Sequence, residues 1–290
     1  MRKRREPSAR YLVRSSCRAV RCAERLGRVP QTIGRRRIPV NECRFRYETT
    51  ARRRRAIRLR AKDLGRAATL GFVPPHRHEE PPRAVLLVHG AGNGPWIFDE
   101  WADTFPTSTL HAVDLQHDVH IQQASMSDYA NAIGRAARDL SHPLAVVAWS
   151  MGGLAAMMQA EALGTMCLVM VEPSAPAEVQ GWHRTSSIVD PGTFDPEAVY
   201  GPFPPGIQSR PESSLARAER KAGVSVPTLP CPSLVVSGSE FPVERGSRVA
   251  AFYGSDQLRF PRFDHWGLVR EQRVRAAIAR HLGFASMGTK

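Results

Sequence analysis

Short apolar segments alternate with longer amphipathic segments from about residue 56 onward, and this alternation constrains the fold more than any other feature. The apolar segments are rich in β-branched residues and nearly free of polar ones, which is typical of strands covered on both faces of a parallel sheet. The sequence therefore predicts an α/β fold with a mostly parallel sheet flanked by helices. The clearest predicted strands are 84–89, 110–115, 144–149, 166–171 and 233–237; weaker ones are 57–62, 68–73 and 257–260.

Helices are predicted in the amphipathic segments between these strands. Ser127, followed by Asp128, is a suitable N-cap for one of them, because a side-chain oxygen accepts the free N–H groups of the first turn. The predicted helices are 95–103, 127–140, 151–163, 243–253 and 273–282.

The net charge of +14 is concentrated at the start of the chain. Residues 1–55 contain 19 Lys and Arg against 4 Asp and Glu, whereas the remaining residues contain 22 against 23. A segment of this kind repels itself and buries little, so we expect 1–55 to be a basic, disordered extension and 56–290 to form the domain. An organelle transit peptide and an arbitrary extension upstream of the true start codon are alternatives for 1–55, and we expect no specific nucleic-acid partner.

Residues 173–231 interrupt the alternation with many prolines and several aromatic residues. A segment of this length without periodicity is too long for a simple connection. We therefore expect it to form a cap or lid over a site.

The sequence also bears on compartment and cofactors. It has no apolar run of 18 residues, which argues against a membrane span, and we expect a cytoplasmic protein. Five cysteines without a C-x-x-C pair fit neither a disulfide framework nor a metal site, so reduced thiols are expected. We predict neither a metal nor a cofactor, and the sequence indicates no oligomeric state.

The segment LAVVAWSMGG (residues 144–153) is a buried strand that ends at Ser150 and passes directly into a helix. A nucleophilic serine on such a tight turn needs small residues two positions before and after it, and Ala148 and Gly152 meet that requirement. The alternative is a serine that only caps the following helix.

A second strand runs into the glycine-rich loop HGAGNG (residues 89–94), about sixty residues before Ser150. Here the sequence resembles the α/β-hydrolase family, in which this loop supplies one oxyanion donor and the residue after the nucleophile supplies another. The resemblance implies that the backbone N–H groups of Ala91 and Met151 form the oxyanion hole. A phosphate-binding loop is disfavoured because no G-K-[ST] follows.

The resemblance also implies His265 as the catalytic base, because the family keeps its histidine after the last strand and before the terminal helix. The acid is ambiguous, since Phe241 stands where most of the family has Asp. Glu172, after the strand that follows the serine, is preferred, and Glu240 is the alternative. If Glu172 is the acid, its carboxylate should lie within about 2.6–3.2 Å of His265 Nδ1.

Together these residues imply a serine hydrolase that cleaves an ester-like bond through an acyl-enzyme. The expected partner is a small molecule, a hydrophobic acyl compound or ester. An acyltransferase or perhydrolase with the same site is one alternative. A non-catalytic binding protein with the same fold is another.

Overall fold

The structure is a computed structural model, and it describes residues 78, 80–184, 191–239 and 243–285. The expectations for residues 1–55, for the strands at 57–62 and 68–73, and for Glu240 lie outside these residues.

A six-stranded parallel sheet forms the centre of the described chain, in the order β2-β1-β3-β4-β7-β8. Every residue of β1, β3, β4 and β7 is buried, as predicted from their continuous apolar sequences. The predicted fold class is confirmed. The strands of the described residues are β1 (Ala84–Val88), β2 (Thr109–Val113), β3 (Leu144–Trp149), β4 (Cys167–Val171), β5 (Thr193–Phe194), β6 (Glu212–Ser213), β7 (Ser233–Ser237) and β8 (Asp256–Arg259).

Helices cover both faces of this sheet. Alternate residues of β1 and β3 point to opposite faces, so that Leu86 and Val146 pack with α1 and α2, and Val85 and Val147 with the other helical layer. The helices of the described residues are α1 (Met126–Ala137), α2 (Met151–Leu163), α3 (Ala177–Gln180), α4 (Pro196–Tyr200), α5 (Ser214–Ala222), α6 (Val243–Tyr253), α7 (Gly267–Arg270) and α8 (Gln272–His281), with 3-10 helices at Pro95–Trp101 and Ile121–Gln123.

Two predicted helices differ from the structure, one in its N-cap and the other in its type and length. The N-cap of α1 is Ser125 and not Ser127, because the Ser125 side chain accepts the Asp128 N–H while the Asp128 carboxylate accepts the Ser125 N–H. This reciprocal pair is a capping box, which places the N-cap two residues earlier than predicted. The segment 95–103 forms a shorter 3-10 helix, Pro95–Trp101, instead of an α-helix.

Between β4 and β7 the chain leaves the sheet. It forms the short helices α3, α4 and α5 and the antiparallel pair β5–β6. None of the helices in the described residues is long and apolar enough to span a membrane.

The register of the sheet brings the ends of three strands together. Trp149, the last residue of β3, pairs with Val171 of β4, and Val171 pairs with Val236 of β7. The residues that follow these strands therefore emerge side by side at one edge of the sheet.

Candidate active site

Ser150 lies on the turn between β3 and α2 with backbone angles of φ 57° and ψ −122°. Non-glycine residues seldom adopt positive φ, and such a conformation persists only where the surroundings enforce it. Hydrogen bonds hold this turn on both sides: the Ser150 N–H donates to Val171 O at 3.0 Å, and the Ser174 N–H donates to Ser150 O at 2.9 Å. The turn thus presents the serine at the end of the strand in strained geometry, as a nucleophile elbow does.

Two glycines allow the loop after β1 to approach this turn. A Cβ atom on Gly152 would lie 2.3 Å from the backbone oxygen of His89, and one on Gly90 would lie 2.9 Å from the Ser150 Cβ. Both contacts are shorter than carbon atoms tolerate. Glycine is therefore needed at both positions for the loop at residues 89–94 to lie against the serine.

His265 and Glu172 are in direct contact. The distance between His265 Nδ1 and Glu172 Oε2 is 2.7 Å. The second carboxylate oxygen, Oε1, accepts the Gly238 N–H at 3.0 Å, and Glu172 is only 3% exposed. Because water has little access, these two donors fix the orientation of the carboxylate.

The backbone around Glu172 is as constrained as that around Ser150. Glu172 has φ 44°, and its N–H donates to Val236 O at 2.7 Å. The turn after β4 thereby aims the carboxylate toward the histidine.

The His265 ring packs on Trp149, with ring centroids 4.7 Å apart and an interplanar angle of 32°. The Trp149 indole N–H also donates to the His265 backbone oxygen at 3.2 Å. Trp149 precedes the serine in sequence, so this side chain links the position of the histidine to the turn that carries Ser150.

The loop at residues 89–94 is clamped by residues of the segment between β4 and β7. The Gly92 N–H donates to Glu212 Oε2 at 2.9 Å, and the Arg210 N–H donates to Gly92 O at 3.0 Å. Arg210 Nε donates to Asn93 O at 2.8 Å. Ala91, directly before these anchored residues, lines the same cavity as Ser150.

Glu212 is itself held by several donors. Its Oε1 accepts the Tyr129 hydroxyl and, at 2.9 Å, the Ser213 N–H. Burial and the nearby Glu212 charge raise the pKa of Tyr129 far above its usual range, so the hydroxyl stays protonated and can donate. Glu212 is 1% exposed, and these contacts compensate the cost of burying its charge.

His89 and Asp114 make further contacts that hold this loop and Arg210 in place. His89 Nε2 accepts the Leu115 N–H at 3.0 Å, which leaves the proton on Nδ1 to donate to Gly90 O at 2.8 Å. Asp114 forms an ion pair with Arg210. Burial alone would raise the pKa of Asp114, but the Arg210 guanidinium and the Gln116 N–H hold it well below its usual range.

A cavity of about 660 Å³ opens above Ser150 and His265. This volume suits a small organic molecule. Aromatic side chains form part of its wall, and the rings of Phe203 and Trp266 pack against each other with centroids 4.7 Å apart. Basic side chains of α5 and α6 form another part.

Comparison with known proteins identifies the family. The model of the alpha/beta hydrolase family matches residues 85–284. The chain belongs to this family.

Solved structures of hydrolases have the same fold as this family member. A pyrethroid hydrolase, PytH, is 16% identical with a TM-score of 0.55, covering 69% of this chain and 97% of its own. The methylesterase MES16 from Arabidopsis is 16% identical with a TM-score of 0.52, covering 70% and 99%. A pyrethroid hydrolase from Sphingobium faniae is 14% identical with a TM-score of 0.53, covering 69% and 96%. A search of curated protein sequences finds no match.

The sequence did not single out Arg210 or Glu212 of this family member. Glu212 directly precedes Ser213, the N-cap of α5, and a glutamate beside a helix start usually lies in solvent. Only the contact with Gly92, 120 residues away, reveals its role, and no local pattern encodes that contact.

Among the described residues, one group of side chains could hold a metal ion: His78, Cys167 and His281, whose ligand atoms lie within 4.8 Å of one another. Burial raises the pKa of the Cys167 thiol to about 12, so it stays protonated at neutral pH. Cys167 starts β4, whereas Glu172 follows its end, so the group lies at the opposite end of the strand from the candidate acid.

Proposed function

We propose that this chain is a serine hydrolase that cleaves an ester-like bond, with Ser150 as nucleophile, His265 as base and Glu172 as acid. The observation that carries the proposal is the 2.7 Å contact between His265 Nδ1 and the buried Glu172 carboxylate, beside a serine held on a strained turn. A carboxylate in this position keeps the proton on Nδ1 and leaves Nε2 unprotonated, so that Nε2 can accept the serine proton.

In the proposed reaction, His265 Nε2 takes the Ser150 hydroxyl proton as Oγ attacks the carbonyl carbon. The backbone N–H groups of Ala91 and Met151 donate to the oxyanion that develops. Met151 is the first residue of α2, so its N–H has no acceptor within the helix. His265 then passes the proton to the leaving alcohol, and water releases the acid from the serine by the same steps in reverse.

We further propose that residues 173–231 act as the cap of this site. Tyr200 and Phe203 come from this segment and line the cavity with Trp149 and Trp266. Aromatic walls favour an apolar group next to the scissile bond. The family membership and the likeness to a pyrethroid hydrolase and a methylesterase support the broad class of reaction.

The test is covalent labelling by a fluorophosphonate probe, together with hydrolysis of p-nitrophenyl butyrate. Wild-type protein should react with the probe and hydrolyse the ester, and Ser150→Ala should do neither while melting at nearly the same temperature. Ser174→Ala is the matched control, since Ser174 lines the same cavity and bonds Ser150 only through its backbone. Labelling of Ser150→Ala, or no labelling of wild-type protein, would show that Ser150 is not an activated nucleophile.

A further inference from the structure

The cavity above Ser150 has a basic side that the proposed chemistry does not use. Arg220 and Lys221 reach it from the last turn of α5, and Arg245 and Arg248 reach it from α6. A single carboxylate, that of Glu244, lines the cavity among the described residues. Positive charges from two elements separated in sequence thus converge on the space that holds the serine and histidine.

The protein orients these charges with neutral groups. An Arg220 Nη atom donates to the Tyr200 hydroxyl at 2.6 Å, and an Arg248 Nη atom donates to Val179 O at 2.9 Å. Within the described part of the chain, Arg220, Lys221 and Arg248 form no ion pair with any carboxylate. Most surface arginines are simply solvated. Arg220 and Arg248, in contrast, are held in place beside a cavity by neutral groups and have no ion-pair partner among the described residues.

The arginines also act on one another. Burial lowers the pKa of Arg245, and the Arg220 charge lowers it further, against the opposing effect of Glu172. Like charges repel, so an anion bound beside Arg220 would reduce this repulsion. Guanidinium groups suit this task because they bind carboxylate or phosphate oxygens with paired N–H donors.

We propose that the basic side of the cavity binds an anionic oxygen group of the substrate, so that the preferred esters carry a carboxylate or phosphate apart from the scissile bond. This inference rests on the proposed serine hydrolase function. The aromatic side of the cavity then holds the apolar chain that joins the ester to the anion.

The experiment compares mono-p-nitrophenyl esters of adipic, pimelic and suberic acid with the p-nitrophenyl alkanoates of the same chain length. We expect kcat/KM to be higher for at least one dicarboxylate monoester than for its neutral counterpart. In the double variant Arg220→Gln/Arg248→Gln this preference should fall by about tenfold, mainly through KM, as expected for loss of charge-assisted hydrogen bonds. The preference is the ratio of the two kcat/KM values, so a general change in activity of the double variant cancels. Added salt should weaken the preference of wild-type protein.

Arg273→Gln is the matched control, because it removes the same charge from an exposed position of α8 that does not line the cavity. It should leave the preference unchanged. A wild-type protein without preference at any chain length, or a double variant that keeps the preference, would overturn the proposal. A phosphate-bearing ester preferred over all carboxylates would identify phosphate as the anionic group.

A second measurement does not depend on catalysis. Hexanoate should raise the melting temperature of wild-type protein more than hexanamide does, and the double variant should lose this difference. If neither ester is hydrolysed but hexanoate still stabilises wild-type protein selectively, the hydrolase proposal fails and the anion site stands. If esters are hydrolysed without charge preference and hexanoate has no selective effect, the anion site fails alone.

Discussion

Replacing Glu172 with Gln should reverse the hydrogen bonding of His265 while hardly changing the size of the side chain. Both carboxylate oxygens are engaged, Oε2 with His265 Nδ1 at 2.7 Å and Oε1 with the Gly238 N–H at 3.0 Å. A glutamine can accept the Gly238 N–H only with its carbonyl oxygen, so its NH₂ group would face Nδ1. Nδ1 would then accept a hydrogen bond from this NH₂ group, so the imidazole proton would lie on Nε2, the atom that must receive the Ser150 proton.

The expected loss in kcat is about 10⁴-fold, because the same reversal has that effect in Ser-His-Asp enzymes. This corresponds to about 5 kcal/mol of activation free energy. Rotating the amide would restore the His265 contact but place its NH₂ against the Gly238 N–H. Each unpaired buried donor costs about 1–3 kcal/mol, and at 3% exposure of Glu172 water cannot compensate. Neither orientation of the amide therefore rescues the site.

The assay is steady-state hydrolysis of p-nitrophenyl butyrate, which separates kcat from KM. KM should stay within about twofold, because the acid does not touch the substrate. Glu178→Gln is the control: this acid lies on α3 and accepts the Val226 N–H at 3.1 Å, outside the site. Retention of more than about a tenth of kcat by Glu172→Gln would refute the reasoning, as would inactivation by Glu240→Gln alone.

Two further predictions concern regions outside the triad. Glu212→Gln should lower kcat about tenfold and the melting temperature by a few degrees, because one of the Gly92, Tyr129 and Ser213 donors loses its acceptor. Glu161→Gln, at an exposed position, is the control and should change neither kcat nor the melting temperature. An unchanged kcat in Glu212→Gln would mean that Glu212 does not position the loop at residues 89–94. Removal of residues 1–55 should leave ester hydrolysis intact and lower the salt concentration needed for elution from heparin, because the excess positive charge lies there. Failure of the truncated protein to fold would contradict this.

The sequence predicted the sheet well because buried parallel strands have a strong local signature. The limits of β3 and β7 agree with the predicted segments, and those of β1, β2 and β4 differ by one or two residues at their ends. Helix starts were less certain, since Ser125 and Ser127 are both chemically suitable caps and only the reciprocal bond with Asp128 decides between them.

The contacts that shape the cavity could not be predicted in the same way. Glu212 meets Gly92 across 120 residues and Tyr129 across 83, and Arg220 reaches the cavity from a helix whose sequence is ordinary for an exposed surface. Such contacts depend on how the segment between β4 and β7 folds back, which neither periodicity nor turn chemistry encodes. The family resemblance could name Ala91 as an oxyanion donor, but it could not say what holds that loop in place.

The two halves of the candidate site are held by different means. Ser150 and Glu172 follow adjacent parallel strands, so the sheet register and the strand spacing of about 4.8 Å fix their separation. The loop at residues 89–94 has no such ladder, and its position depends on Arg210 and Glu212 from another part of the chain. If Ala91 is the oxyanion donor, as we propose, a change at Arg210 or Glu212 should therefore shift this donor without removing the contact between His265 and Glu172. The proposed substrate contacts of Tyr200 and Phe203 and the proposed oxyanion donor Ala91 would thereby be coupled through one segment of the chain.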